Sequence, residues 1–258
     1  MIHITISLHN KEDINMNNRK YELVTNSTIE VDGKTLYRIR ALRNFGDVKT
    51  GDLGGYIEKD DNLSHKGNCW IYDEVKVYDE AKVFGNAVIY GNTEVFNNAK
   101  VYGNAKLSGY DNNISVRICE CSKVFDNAIL HGKFIVYGNA EISGHAQLFS
   151  NRSMIGYIKV FGNAKIYDHA VLYGDVEVTG NAKIHDYAEV SDNVLICGDS
   201  EICGHATIYN KAKIYGKAKI LDEAKVCDCA KVYGNTVVSG NVYILGESKI
   251  NGDTFITQ

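Results

Sequence analysis

Between Ala81 and Leu107 the chain reads AKVFGNAVIYGNTEVFNNAKVYGNAKL, and every sixth position along it is aliphatic. A period of six matches neither the 3.6 of a helix nor the plain 2.0 of an isolated strand. It does match a strand of about three residues followed by a corner of about three, the signature of a solenoid. Stepping by six from Ile71 meets Val77, Val83, Ile89, Val95, Val101 and Leu107. The series restarts at Ile118 and runs through Val124, Leu130, Val136, Ile142, Leu148, Met154 and Val160 to Ile256, making 31 units, 7 before the break and 24 after it. Two residues before each aliphatic position stands Ser, Thr, Ala or Val in nearly every unit, Phe134, Arg152 and Ile158 being exceptions. Two inward positions flanking one outward position is the alternation a strand requires.

The pattern divides the chain into an irregular arm (1–19), a non-repetitive stretch (20–66) and the repeats (67–258), with a break over 108–117. In the second part, TIEVDGKTLYRIRAL alternates around Asp32-Gly33 and predicts a β-hairpin. We read 20–66 as a cap, because an exposed first coil presents unpaired strand edges. At the break the chain uses eleven residues from Leu107 to Ile118, which predicts a corner loop near Tyr110 to Ser115. Near SNRSMIGYI (150–158), strict register turns Arg152 into the rod. A buried unpaired guanidinium is costly, so a local distortion is expected there.

The run KYELV (20–24), then LYRIRALRNFGDVKTGDLGGYIEKDDNLSHKGNCWIYDEVKV (36–77), resembles the opening of the YdcK-like hexapeptide-repeat proteins, which are labelled transferases. The resemblance implies a single-stranded left-handed parallel β-helix, of a kind encoded in bacteria and their phages. It also implies three units per coil, hence about ten coils and a rod on the order of 50 Å long. Corners carry Gly-Asn, Asp-Asn or Gly-His, residues that tolerate positive φ. Proline is absent, which spares ladder donors throughout.

Composition narrows the function classes. The formal net charge is −4 with Lys and Glu interspersed, which argues against general nucleic-acid binding. No apolar run reaches the about 18 residues of a membrane-spanning helix. The first twenty residues lack the basic start and apolar centre of a secretory signal, so a cytoplasmic location is expected. The cysteine pairs Cys119/Cys121 and Cys227/Cys229 lie too far apart to share one metal, and all seven cysteines are read as free thiols. Neither a cofactor nor a metal ligand set is assigned.

Catalytic chemistry finds little support in the pattern. In acyltransferases built on hexapeptide coils, a His and a protruding loop make the acyl-CoA groove between the subunits of a trimer. Here His131 and His185 just follow aliphatic positions, while His145, His169 and His205 fall on corners, none before a long loop. The two histidines five residues apart of a γ-type carbonic anhydrase are missing. Gly51-Asp52-Leu53-Gly54-Gly55 lacks the Lys-Ser/Thr and helix of a phosphate loop and reads as a cap turn. Arg38 and Arg40 share a hairpin face and read as solvated.

Uninterrupted stacking at steps of 18 gathers an apolar surface from Ile135, Tyr137, Ile155, Val171, Tyr173, Tyr209, Tyr243 and Leu245, which we expect to bind a protein. Corner aromatics packing on one another along the rod is the plain alternative. The last coil, with Ile250, Phe255 and Ile256, is expected to pair end to end in a homodimer. On the sequence alone the leading function is therefore a non-catalytic protein-binding rod, plausibly a phage or mobile-element inhibitor of a host protein. An acyl-CoA-dependent acyltransferase and a structural solenoid are the alternatives.

Overall fold

The computed structural model describes residues 18–109, 116–150 and 156–258. Its repeats form a parallel β-helix with three flat faces, each built from two- to four-residue strands. We name the faces by the inward residue of their first rung: the Ile71 face, the Val77 face and the Val83 face. Each contributes ten rungs to the rod. The 30 rungs correspond to the aliphatic positions counted above, with Met154 left out.

The missing unit is explained by register. Along most of the rod a residue stacks on the one 18 positions later, as Asn163 does on Asn181, but the step is 23 from Asn104 to Asn127 and 24 from Asn139 to Asn163. Two coils thus carry five and six extra residues, which leave the ladder and return in phase. The first insertion falls in the break predicted near Tyr110 to Ser115. The second spans the position of Met154, which lies outside the described residues. Both loops, and Arg152, lie outside the described residues.

Inside the rod, each rung supplies one large aliphatic side chain and one small one. Val160, Ile184 and Ile214 are fully buried, as are Ala164, Ala182 and Ala212 between the faces. Phe134 and Ile158, which break the small-residue rule, are also buried and pair directly with each other on the Val77 face. The corners hold positive φ, supplied by Asp as well as Gly: Asp186 has φ 56° and Gly204, one coil on, φ 69°. Flat stacking then follows, as with Tyr102 between Phe84 and Phe125 at centroid distances of 4.7 and 4.9 Å.

The cap comprises β1 (Tyr21–Val31), β2 (Lys34–Ala41) and β3 (Leu53–Ile57). Asp32 and Gly33 both take positive φ, 49° and 74°, the type I′ geometry whose twist suits a two-residue hairpin. β1 and β2 are antiparallel, and β3 joins the rod by pairing in parallel with Lys76–Val77. Leu63 already bridges to Val83, so the rod begins slightly before residue 67. The buried Lys20 ammonium donates 2.7 Å to the Cys69 carbonyl and sits 5.0 Å from the Phe45 ring centre. Arg38 and Arg40 are not simply solvated: Arg38 donates to the Tyr56 hydroxyl at 2.9 Å and Arg40 pairs with Glu22 at 3.4 Å.

The glycines of GDLGG serve two purposes. Gly51, at φ 94°, makes the expected turn. Gly54 and Gly55 instead let β3 lie directly on the first coil, because a Cβ on Gly54 would stand 2.7 Å from the Ile71 carbonyl oxygen and from Trp70 Cζ2. Gly54→Ala is expected to destabilise cap docking by about 1–3 kcal/mol through overpacking. Denaturant unfolding followed by the fluorescence of Trp70, the chain's single tryptophan, checks this; an unchanged midpoint contradicts it.

Candidate functional site

The edge where the chain turns from the Val83 face to the Ile71 face concentrates the polar chemistry of the rod. Four corner side chains stack there, His145 on His169, His169 on Tyr187 and Tyr187 on His205, at centroid distances of 4.9, 5.0 and 5.0 Å. All four are exposed. The Asn127 side-chain amide lies 3.3 Å from His145 Nε2. An open groove of about 300 Å³ runs beside the lower part of this column, lined by Asp126, Glu141, Ser143, Lys165, Tyr167 and Asp168. Glu141 bridges Lys165 at 2.8 Å and Lys123 at 2.9 Å, and these two cations hold its carboxyl below the usual carboxylate range.

One residue inward from the corner, a second column places Tyr167 on His185 with ring centres 4.7 Å apart. The pairing of Ile184 with Ile202 sets Cys203 next in that column. His185 Nδ1 is 3.2 Å from Asp186 Oδ1, and Nε2 is 3.3 Å from Glu201 Oε1. Both carboxylates are anchored in turn: the Gly204 N–H donates 3.0 Å to Asp186 Oδ2, and Lys219 Nζ lies 2.6 Å from Glu201 Oε2. Lys219, then His185, keeps the Glu201 carboxyl low, while the Gly204 N–H, then His185, does so for Asp186. Burial first, and then the Glu201, Asp186 and Asp222 carboxylates, push the Cys203 thiol up to about 11.

The residues expected to form one protein-binding surface are divided by the structure. Val171, Tyr173, Tyr209, Tyr243 and Leu245 lie on the Ile71 face and the corner after it, with Tyr173, Tyr243 and Leu245 exposed at 47%, 52% and 50%. Ile135 and Tyr137 belong to the Val77 face, where Ile135 stacks on Lys159 and Tyr137 on Phe161 at 4.6 Å. Ile155 lies outside the described residues. The extra six residues of one coil cause the separation, because they shift every later residue by one face relative to an uninterrupted step of 18. For Tyr137, packing along the rod is what occurs. Ile250 and Ile256, on the last rungs of the Val77 and Val83 faces, are half-buried, and Phe255 is 75% exposed.

Sequence reasoning saw the corner histidines but not the group around His185. The signal was present, since Cys203 stands 18 residues after His185 and Glu201 stands 18 after Lys183. Each of these residues also has an ordinary place on a solvated ladder, and the folded coil is what sets His185 between Asp186 and Glu201.

No known family pattern matches the chain. A stretch of 39 residues, 15% of this chain, is 46% identical to the uncharacterized acetyltransferase YdcK of Escherichia coli (strain K12), and the match spans 12% of that protein's length. Among solved structures, the UDP-N-acetylglucosamine O-acyltransferase (LpxA) of Moraxella catarrhalis RH4 is similar at a TM-score of 0.40 and 11% identity, over 66% of this chain and 71% of that one. The six-residue period and three-faced coil define a hexapeptide-repeat β-solenoid, and over those 39 residues the chain is similar in sequence to YdcK. Among the described residues, no helix is long and apolar enough to cross a membrane.

The cysteines provide a local check on these environments. Burial, then Glu120, pushes the Cys119 thiol up to about 11, while Cys121, two residues away, is exposed. At pH 8 a thiol of that kind is roughly one part in a thousand thiolate, and the thiolate is the nucleophile. Iodoacetamide is therefore expected to modify Cys121 and Cys229 well before Cys119, as read by peptide mass spectrometry. Equal labelling of Cys119 and Cys121 contradicts the assigned burial.

Proposed function

We propose that the protein is a hexapeptide-type acyltransferase using an acyl-CoA thioester as donor, in place of the non-catalytic rod that the pattern alone favoured. The observation that carries the reading is the stacked histidine corner beside an open, lysine-flanked groove. The local likeness to a protein named as an acetyltransferase supports it. His169 is the general base: its imidazole takes the proton of an acceptor hydroxyl or amine as that group attacks the thioester carbonyl. Collapse of the tetrahedral intermediate breaks the C–S bond and releases CoA as the thiol. Lys165 and Lys183, stacked on the adjoining face, offer cations to the phosphates of the donor. The left-handed coil of the hexapeptide class, a cytoplasmic location and pairing with a second copy through Ile250, Phe255 and Ile256 belong to the same proposal.

Acetyl-CoA is expected to bind saturably by calorimetry, and mass spectrometry of CoA release across hydroxyl and amine acceptors is expected to find turnover. His169→Ala then lowers kcat by about 10²–10⁴ with little change in donor binding, the usual contribution of a general base. Failure of acetyl-CoA and longer acyl-CoAs to bind overturns the reading.

A second reading, the protein-binding rod, draws on the exposure of Tyr173, Tyr243 and Leu245 on one face. An acyl-CoA-inactive protein that forms a defined complex with a host protein, lost on Tyr173→Ser and Leu245→Ser, favours that reading, including the role of a phage or mobile-element inhibitor.

A further inference from the structure

We propose that His185, Asp186 and Cys203 form a binding site for a transition-metal dication of the zinc type, one that the acyl-transfer reading does not require. One ligand-type atom from each of the three lies within 4.8 Å of the other two. A tetrahedral centre with bonds of about 2.0–2.1 Å to nitrogen and oxygen sets those atoms roughly 3.3 Å apart. The observed separation of His185 Nδ1 from Asp186 Oδ1 is 3.2 Å. With a Zn–S bond of about 2.3 Å the sulfur belongs roughly 3.6 Å from the nitrogen and oxygen ligands, so that even from the 4.8 Å bound it closes by little more than about 1 Å.

The surroundings match what an ion would need from its outer shell. Histidine ligands are usually oriented by a carboxylate on the second ring nitrogen, which fixes the tautomer and strengthens the ligand. Here His185 Nε2 faces Glu201 Oε1 at 3.3 Å, so that an N–H there donates to the carboxylate and leaves Nδ1 free to ligate. Lys219 holds Glu201 from its other oxygen at 2.6 Å. Asp186 spends Oδ2 on the Gly204 N–H and keeps Oδ1 toward His185. Tyr167, stacked beneath His185, limits rotation of the ring. Three protein ligands of N, O and S type, with a fourth position left to water or an anionic ligand, suit Zn²⁺ or Co²⁺ better than the oxygen-seeking Mg²⁺ or Ca²⁺.

A plain surface ion pair accounts for the His185 contacts with Asp186 and Glu201. It does not account for a thiol in the next rung of the same column, beside an Asp corner whose second oxygen is already held by the Gly204 N–H. The experiment is titration of the reduced protein with Co²⁺ under a non-thiol reductant, followed by absorbance. One equivalent is expected to raise a sulfur-to-cobalt charge-transfer band in the near ultraviolet together with intense visible bands of tetrahedral type, and Zn²⁺ is expected to abolish both. Cys203→Ser removes the charge-transfer band, and His185→Gln and Asp186→Asn remove the tight one-to-one phase. Glu201→Gln keeps the band but weakens affinity by about 10–100-fold, as loss of an outer-shell partner does. All four positions are on the surface of the rod, and circular dichroism of each variant confirms that the solenoid is intact. Absence of the band at one equivalent, or its persistence in Cys203→Ser, overturns the site. Equal affinity in Glu201→Gln overturns the assignment of Nδ1 as the ligand atom.

Discussion

The whole structure depends on backbone hydrogen bonding between residues one coil apart. Because the same bond recurs from coil to coil, as from the Lys165 N–H to the Ala182 carbonyl at 2.9 Å and from the Lys183 N–H to that of Ser200 at 2.9 Å, each residue is stacked on its counterpart with little offset. A parallel ladder of this kind buries apolar side chains only if every coil supplies them in phase. The strict sixfold spacing of aliphatic residues is therefore the sequence's response to a register it cannot escape. Small residues at the second inward position follow from the same constraint, since three faces meeting at close range leave room for one large side chain per rung.

Phase, not length, is what must be conserved along the rod. Insertions of five and six residues are both tolerated, although only the second is a multiple of the repeat, because each leaves the coil at a corner and returns to the same ladder position. Entropy of loop closure rises slowly with loop length, so excursions of this size cost little compared with loss of a rung's pairing. Their consequence is felt in the surface columns. A residue-by-residue step of 18 follows a column correctly after Val160, yet across the six-residue insertion it assigns Ile135 and Tyr137 to the wrong face.

That difference marks what could be read in advance. The fold was visible in Ile71 and its successors because burial demands an aliphatic residue at every rung. The hairpin was visible in Asp32-Gly33 because a two-residue turn of that twist needs positive φ at both positions. The surface arrangement was legible only within uninterrupted stretches: the run of Val171, Tyr173, Tyr209, Tyr243 and Leu245 survives, whereas its extension to Ile135 does not. Met154 reads as a rung because it is aliphatic and in phase with the period, but it lies outside the described residues, and on the Val77 face Phe134 pairs directly with Ile158. Hydrophobicity reports a permitted inward position, while membership in the ladder depends on partners distant in sequence.

Chemistry on such a rod is confined to particular places by the same geometry. Inward positions are buried and mostly apolar, with Thr93, Ser122, Ser200 and Thr236 among the exceptions, and outward strand positions form flat columns separated by the spacing of parallel strands. The corners differ, because positive φ there brings in Asp and Gly, whose carboxylates and N–H groups bond from one coil to the next. An Asp corner above or below a Gly corner leaves one carboxylate oxygen structural and the other available, as at Asp186 under Gly204. Placing His185 and Cys203 beside that pair needs only an 18-residue spacing, with no loop to shape the site and no cavity to enclose it.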